Sequence, residues 1–271
     1  MPAPDHSSTA DIPVVILAGG LGTRLREETE RIPKPMVRVG EQPLLWHIMK
    51  LYGHYGFRRF VLCLGYRSEV VKHFFLTYRT QLADLRIDLS GASAPEFVNR
   101  PGVEPWDILC AETGLLTGTG GRLKRVRDYL DADTFMCTYG DGIGPVDLHA
   151  LLDHHRSHAR VATVTGVHPT SPFGEMEIVD STVVEFNEKP DISTRLVSGG
   201  FFVFERTVFD YLTDEDDLVL EREPLRKLAR DNELSVYEHH DFWHGMDTHR
   251  DLVELNDLWA SGRAPWSVWE S

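Results

Sequence analysis

The chain predicts an α/β protein with a Rossmann-like, mixed but mainly parallel sheet flanked by helices, and two observations carry the prediction. Short apolar runs alternate with stretches of helical spacing over residues 14–167, the pattern of βαβ units. Beyond Val167 the alternation gives way to shorter β-type segments, which predict a smaller β-rich part.

Residues 14–18 (VVILA) are apolar at every position, as a strand covered on both faces must be. Residues 44–55 place Leu45, Ile48, Met49 and Tyr52 on one side of a helix. The alternation continues with a strand at 60–64, a helix at 69–78 and a short strand at 108–110. A helix at 123–130, a strand at 135–138, a helix at 148–158 and a strand at 161–167 follow. Then 175–179 and 182–188 read as a hairpin closing near Asp180-Ser181, followed by a strand at 201–204, a helix at 224–230 and a strand at 235–238. The amphipathic stretch 248–260 reads as a closing helix. There is no repeat, low-complexity tract or linker, so residues 12–271 are expected to form one domain. Residues 1–11 (MPAPDHSSTAD) lack the basic and apolar regions of a signal peptide and read as a disordered tail.

A formal charge of −14 disfavours nucleic acid or an anionic membrane as partner. No run approaches the length of a membrane span. Cys63, Cys110 and Cys137 are dispersed in apolar runs, the usage of reduced core thiols in a cytoplasmic protein.

Against that acidic background, VVILAGGLGTRLREETERIPKPM stands out. A glycine-rich loop after the first strand of an open α/β sheet lies at the carboxyl end of that strand, where ligands bind. Its backbone N–H groups can approach phosphate oxygens closely. Gly20-Leu21-Gly22-Thr23-Arg24-Leu25 ends in leucine, so it is not the dinucleotide fingerprint, and the Gly-Lys-Ser/Thr of a P-loop is absent. For the glycines alone a plain turn is the bland alternative. Arg24 and Lys34 beside the turn point to an anion.

The whole stretch, Gly19-Gly20-x-Gly22-Thr23-Arg24-Leu25 with Pro33-Lys34-Pro35 seven residues on, resembles the signature of the sugar-1-phosphate nucleotidyltransferases. Further segments resemble the glucose-1-phosphate cytidylyltransferase subgroup, whose members make CDP-glucose. They are residues 43–50 (PLLWHIMK), 103–106 (VEPW), 119–125 (TGGRLKR), 139–142 (YGDG), 246–248 (MDT) and 264–266 (APW). The resemblance implies the nucleotide-diphospho-sugar transferase fold, with the β-rich part binding the sugar. It implies CTP and glucose 1-phosphate as substrates, Mg²⁺ as cofactor, and a homo-oligomer.

It also implies roles. The backbone at Gly19, Gly20, Gly22 and Thr23 would cradle the triphosphate, and Leu17, Ala18, Gly121 and Gly140 would bind the nucleotide. Arg24 would bind the β- and γ-phosphates and Lys34 the phosphate oxygens at the reacting centre. Thr119 and Arg122 would touch the base. Gly174, Glu188, Lys189, Gly199, Gly200 and Glu221 would hold the sugar phosphate, with Lys189 on its phosphate. Asp141 and Asp247 would hold the metal, and with Arg24, Lys34 and Lys189 they complete the expected catalytic set.

By residue type alone, Asp141-Gly142 is a turn pair and Asp247-Thr248 a helix cap. Spacing cannot bring the two aspartates together; the resemblance does. Where the subgroup usually has proline before Met-Asp-Thr, this chain has Gly245, which loosens the backbone ahead of Asp247. His154 and His158 lack an apparent third ligand and read as a solvated helix face, while His239, His240 and His244 surround Trp243 close to Asp247 in sequence, which makes one of them a candidate to touch the substrate. Two alternatives stay open: a sibling enzyme using dTTP, UTP or another sugar phosphate, and a non-catalytic sensor of sugar nucleotides.

Overall fold

The computed structural model describes residues 9–22, 25–99, 102–168, 175–179, 182–187 and 196–270. The strands that matter are β1 (Pro13–Leu17), β2 (Arg59–Leu64), β3 (Asp107–Glu112), β4 (Thr134–Tyr139), β5 (Ala162–Val167), β6 (Glu175–Val179), β7 (Thr182–Asn187), β8 (Val197–Glu205) and β9 (Leu234–His239). Seven of them form one sheet in the order β9-β5-β8-β4-β1-β2-β3, while β6 and β7 pair as a separate antiparallel hairpin. Every neighbouring pair in the large sheet is parallel except the two made by β8. The sheet is therefore mixed and mainly parallel, as expected.

The helices are α1 (Leu44–His54), α2 (Ser68–Leu82), α3 (Thr119–Arg125), α4 (Leu148–Arg156), α5 (Glu223–Arg230) and α6 (His249–Ala260). They cover both faces of the sheet, because alternate residues of a strand point to opposite sides. Val14 and Ile16 join a core with Leu45, Ile48 and Tyr52 of α1. Val15 and Leu17 join a second core with Leu123 of α3, Phe135 and Phe204. The all-apolar pattern of β1 thus reflects two cores meeting at one strand, and all five of its residues are buried.

Three boundaries differ from expectation, each for a packing reason. The helix expected at 123–130 starts earlier, at Thr119, and passes after Arg125 into a 3₁₀ turn at Arg127–Tyr129. Gly118, Gly120 and Gly121 are there because the chain at 215–218 lies directly against them. A Cβ on Gly118 would sit 2.3 Å from the Leu218 carbonyl oxygen, and one on Gly121 would sit 2.7 Å from that of Asp216. Strand β8 starts at Val197 rather than 201 and absorbs Ser198-Gly199-Gly200. Gly200 has φ +79°, and a Cβ on it would come within 2.2 Å of the Tyr139 ring; the glycines mark an irregular register rather than a loop. Thr9–Asp11, expected in the tail, form a 3₁₀ turn.

The C-terminal segment closes the first core. Trp266 is fully buried, and its indole N–H donates to His47 Nδ1 at 3.4 Å. Since indole can only donate, His47 Nδ1 is an acceptor and Nε2–H donates to the Val39 carbonyl at 2.9 Å. Burial pushes the His47 pKa down to about 4, with the Val39 bond opposing. Cys63 and Cys137 are buried, Cys110 half-buried, and all three are free thiols. Among the described residues, no helix is long and apolar enough to cross a membrane.

Candidate active site

The carboxyl ends of β1 and β4 lie side by side, and the Gly140 N–H donates to the Leu17 carbonyl at 3.1 Å. A cleft of about 410 Å³ opens there. One wall is the backbone of Leu17, Ala18, Gly19, Gly20 and Gly22, and Gly140 lines the floor. Gly22 has φ +60°, a conformation glycine adopts without strain. A side chain on Gly20 would meet nothing within 4 Å, so that stretch of backbone faces open space. Thr117, Gly118, Thr119, Arg122, Tyr139 and Val219 complete the lining on the side of α3 and β4.

Lys34 stands in a 3₁₀ turn (Lys34–Met36). Its ammonium donates to Asp141 Oδ2 and to Asp247 Oδ1, each at 2.7 Å. The lysine side chain is only 11% exposed, while the aspartates are 41% and 44% exposed. Local pairing explains how residues 107 and 213 positions away from Lys34 reach it. Gly142–Ile143 and His244–Gly245 pair antiparallel, and the Met246 N–H donates to the Asp141 carbonyl at 2.8 Å. That short ladder sets Asp141 and Asp247 next to one another.

The capping work that residue type would assign to Asp247 is done elsewhere. Thr248 caps α6 and forms a capping box with Asp251. Asp251 Oδ2 accepts from the backbone N–H of Asp247 at 2.9 Å and of Thr248 at 2.7 Å. Burial alone would raise the Asp251 carboxyl. The bonds from Thr248 and Asp247, with the charge of His244, outweigh it and hold the carboxyl below its ordinary range. Gly245 lies within the ladder with a Cβ position 3.3 Å from the Trp243 ring, and Trp243 Nε1–H donates to the Gly199 carbonyl at 2.9 Å. The expected loosening at Gly245 is thus offset by a strand pair and an indole.

Arg122, expected at the base, lines the cleft, and its terminal guanidinium nitrogens are bonded to the protein. Nη1 donates to the Thr113 hydroxyl and Gly114 carbonyl at 2.8 Å and to the Leu64 carbonyl at 3.2 Å. Nη2 donates to the Gly19 carbonyl at 2.9 Å and the Leu115 carbonyl at 3.3 Å. Carbonyls at the ends of several strands converge there and need a planar, multidentate donor. Gly19 is glycine for the same reason, since a Cβ would lie 2.0 Å from Nη1. Burial lowers the guanidinium pKa from its ordinary value, with Arg125 adding to the effect and Cys63 opposing. A Cβ on Gly121 would meet the Asp216 and Glu215 carbonyls and the Thr117 methyl.

Glu221 lies at the rim and binds two cleft side chains. The Thr119 hydroxyl donates to Glu221 Oε2 at 2.7 Å, and the Tyr139 hydroxyl donates to Oε1. Tyr139 was not foreseen. It lies two residues from Asp141 at the end of β4, so strand periodicity could have marked it. Burial and the Glu221 charge push the Tyr139 phenol up. Gly200 packs beneath the Tyr139 ring and Gly199 under Trp243, one layer behind the cleft wall. Thr23, Arg24, Gly174, Glu188 and Lys189 lie outside the described residues.

The histidines find local partners. His154 Nε2 is 3.2 Å from the Ser235 hydroxyl and His158 Nε2 is 3.0 Å from that of Thr163, so both are half-buried and hydrogen-bonded rather than a solvated face. His244 Nε2 is 3.3 Å from Asp251 Oδ1. Among the described residues, no group of three or more His, Cys, Asp or Glu is placed to hold a metal by itself. Two carboxylates meeting on one ammonium are hard oxygen donors of the kind Mg²⁺ takes in pairs, with phosphate oxygens filling its remaining positions. The donor set fits that ion.

Comparison with known proteins gives the family. The model of the nucleotidyl transferase family matches residues 13–261. The chain belongs to the nucleotidyl transferase family. Within it, a glucose-1-phosphate cytidylyltransferase of Salmonella typhi is 45% identical over 257 residues, covering 94% of this chain and 99% of that protein. The fold matches the crystal structure of HddC from Yersinia pseudotuberculosis complexed with GMP-PN. The TM-score is 0.65 at 21% identity, over 92% of this chain and 99% of that one. It also matches the inositol-1-phosphate CTP transferase from T. maritima, with a TM-score of 0.62 at 16% identity over 92% and 96% of the two chains. At these identities the two structures speak for the fold of this nucleotidyl transferase.

Proposed function

We propose that this nucleotidyl transferase moves a cytidylyl group from CTP to glucose 1-phosphate, yielding CDP-glucose and pyrophosphate. The observation that carries the reading is the Lys34–Asp141–Asp247 cluster inside a glycine-walled cleft. The near full-length likeness to a glucose-1-phosphate cytidylyltransferase supports the choice of substrates. A phosphate oxygen of the sugar phosphate attacks the α-phosphorus in line, a new P–O bond forms there, and the bond to the pyrophosphate oxygen breaks. The substrate is its own nucleophile, so the protein contributes position and charge.

The backbone of Leu17, Ala18, Gly19, Gly20 and Gly22 holds the triphosphate, and Lys34 offsets the repulsion of two approaching anions. Arg24 and Lys189 take the leaving phosphates and the sugar phosphate. Gly174 and Glu188 hold the sugar hydroxyls. Asp141 and Asp247 hold Mg²⁺, which when bound neutralises charge on the triphosphate oxygens. The three free thiols fit a reducing compartment, the cytoplasm.

The test is pyrophosphate release with Mg²⁺ and glucose 1-phosphate across CTP, dTTP, UTP, ATP and GTP. Strong preference for CTP is expected. Preference for another nucleotide would replace the cytidylyl assignment and keep the reaction class, whereas silence across nucleotides and a panel of sugar phosphates would favour a binding protein.

A further inference from the structure

Phosphate charge belongs at the glycine wall and Lys34, which leaves the wall of Thr117, Gly118, Thr119 and Val219 for the uncharged base. Arg122 also lines the cleft, but its Nη1 and Nη2 donors are taken by backbone and by Thr113, and Arg125 turns to Asp216 at 2.5 Å. The neutral hydroxyls on the cleft are those of Thr117, Thr119 and Tyr139; Thr117 accepts from Arg125 and Tyr139 donates to Glu221, while the Thr119 hydroxyl is bonded through both its proton and a lone pair.

Its polarity is fixed by its neighbours. The Leu220 N–H donates to Thr119 Oγ1 at 2.9 Å, occupying one lone pair. Glu221 Oε2 lies 2.7 Å away and, as a carboxylate, only accepts, so it takes the hydroxyl proton. One lone pair remains. A hydroxyl held this way accepts from an N–H and has nothing to give to a carbonyl oxygen. Cytosine presents an exocyclic amine at the position where uracil and thymine present a keto oxygen.

We propose that Glu221 is a specificity-determining positioning residue. By holding the Thr119 proton it makes the cleft accept an exocyclic amine and reject a keto oxygen. The inference rests on the cytidylyl transfer proposed above. It separates CTP from UTP and dTTP, and leaves ATP to be excluded by the size of its ring. Tyr139 takes the other Glu221 oxygen and steadies the carboxylate without touching Thr119's proton.

Calorimetric titration of CTP and UTP into the wild type and into Glu221→Gln, Thr119→Val and Tyr139→Phe tests it, together with the KM for glucose 1-phosphate. The wild type should bind CTP more tightly. Glu221→Gln, exposed at the rim, frees the hydroxyl to turn and should narrow the CTP-to-UTP ratio about tenfold, mainly by improving UTP. Thr119→Val should lose CTP affinity and most of the ratio, and Tyr139→Phe should keep it. An unchanged ratio in Glu221→Gln and Thr119→Val, with the wild type preferring CTP, overturns this inference alone. A raised KM for glucose 1-phosphate with the ratio intact overturns it in favour of Glu221 binding sugar hydroxyls. A wild type without CTP preference overturns the cytidylyl reading beneath it.

Discussion

Lys34 neutralises two carboxylates with one ammonium, and the arrangement makes its removal informative in two ways. In Lys34→Met, Asp141 and Asp247 face each other with nothing between them. Because both carboxylates are over a third exposed, the cost in stability should be about 1 kcal/mol. Millimolar Mg²⁺ should recover it, and thermal unfolding with and without MgCl₂ reads both effects. Turnover should fall about 10²–10³-fold, since charge stabilisation at the reacting phosphorus is lost, and pyrophosphate release measures that. Arg122→Lys keeps the charge and loses the fork. A single ammonium cannot serve Leu64, Gly114, Gly19 and Leu115 together. A loss of about 2–3 kcal/mol by urea unfolding is expected; a change under 0.5 kcal/mol would contradict this reading of the guanidinium. At this scale the sequence marked Lys34 and both aspartates by motif. It could not show that Arg122 is taken up by backbone, because its partners are carbonyls, and every residue has one.

Between elements, the contact of α3 with the chain at 215–218 decides whether Thr119 has partners at all. Leu220 and Glu221 reach Thr119 because Gly118, Gly120 and Gly121 let the two segments touch. Gly121→Ala, though outside the cleft, should push the 216–218 backbone away, weaken CTP binding several-fold and lower the melting temperature by several degrees. Binding titration and calorimetric unfolding check the pair of effects; full CTP affinity in this variant would show that the wall moves independently of α3. The strands and helices up to Val167 were legible because apolar periodicity survives wherever an element packs on a core. The start of α3 and the first residues of β8 were not. Both begin in glycine pairs, and a glycine pair reads as a turn until the neighbour that excludes a side chain is seen.

For the molecule as a whole, one buried histidine ties the stability of the first core to pH. His47 is held neutral between Trp266 and Val39 in the first core. Its pKa is depressed from 6.5 to about 4, so between those values the unfolded chain binds a proton that the folded chain does not. Its contribution is therefore complete above pH 6.5 and lost as the pH falls toward 4, a loss of about 3 kcal/mol from this group. Urea unfolding between pH 7 and pH 4.5 should show that slope, and His47→Gln should flatten it. The sheet class and its two covered faces followed from β1 being apolar throughout. The ladder joining Asp141 to Asp247 did not, because two residues on each side carry no periodicity.

The pairing of Lys34 with Asp141 and Asp247 also bears on synthesis. Its partners lie 107 and 213 residues further along the chain. A nascent chain leaving the ribosome has its glycine loop and Lys34 well before its first carboxylate, and gains the second later still; long-range contacts of this kind form late. No shortened translation product ending before Asp247 would carry the complete charge cluster, and competence for chemistry waits on the last of its three members.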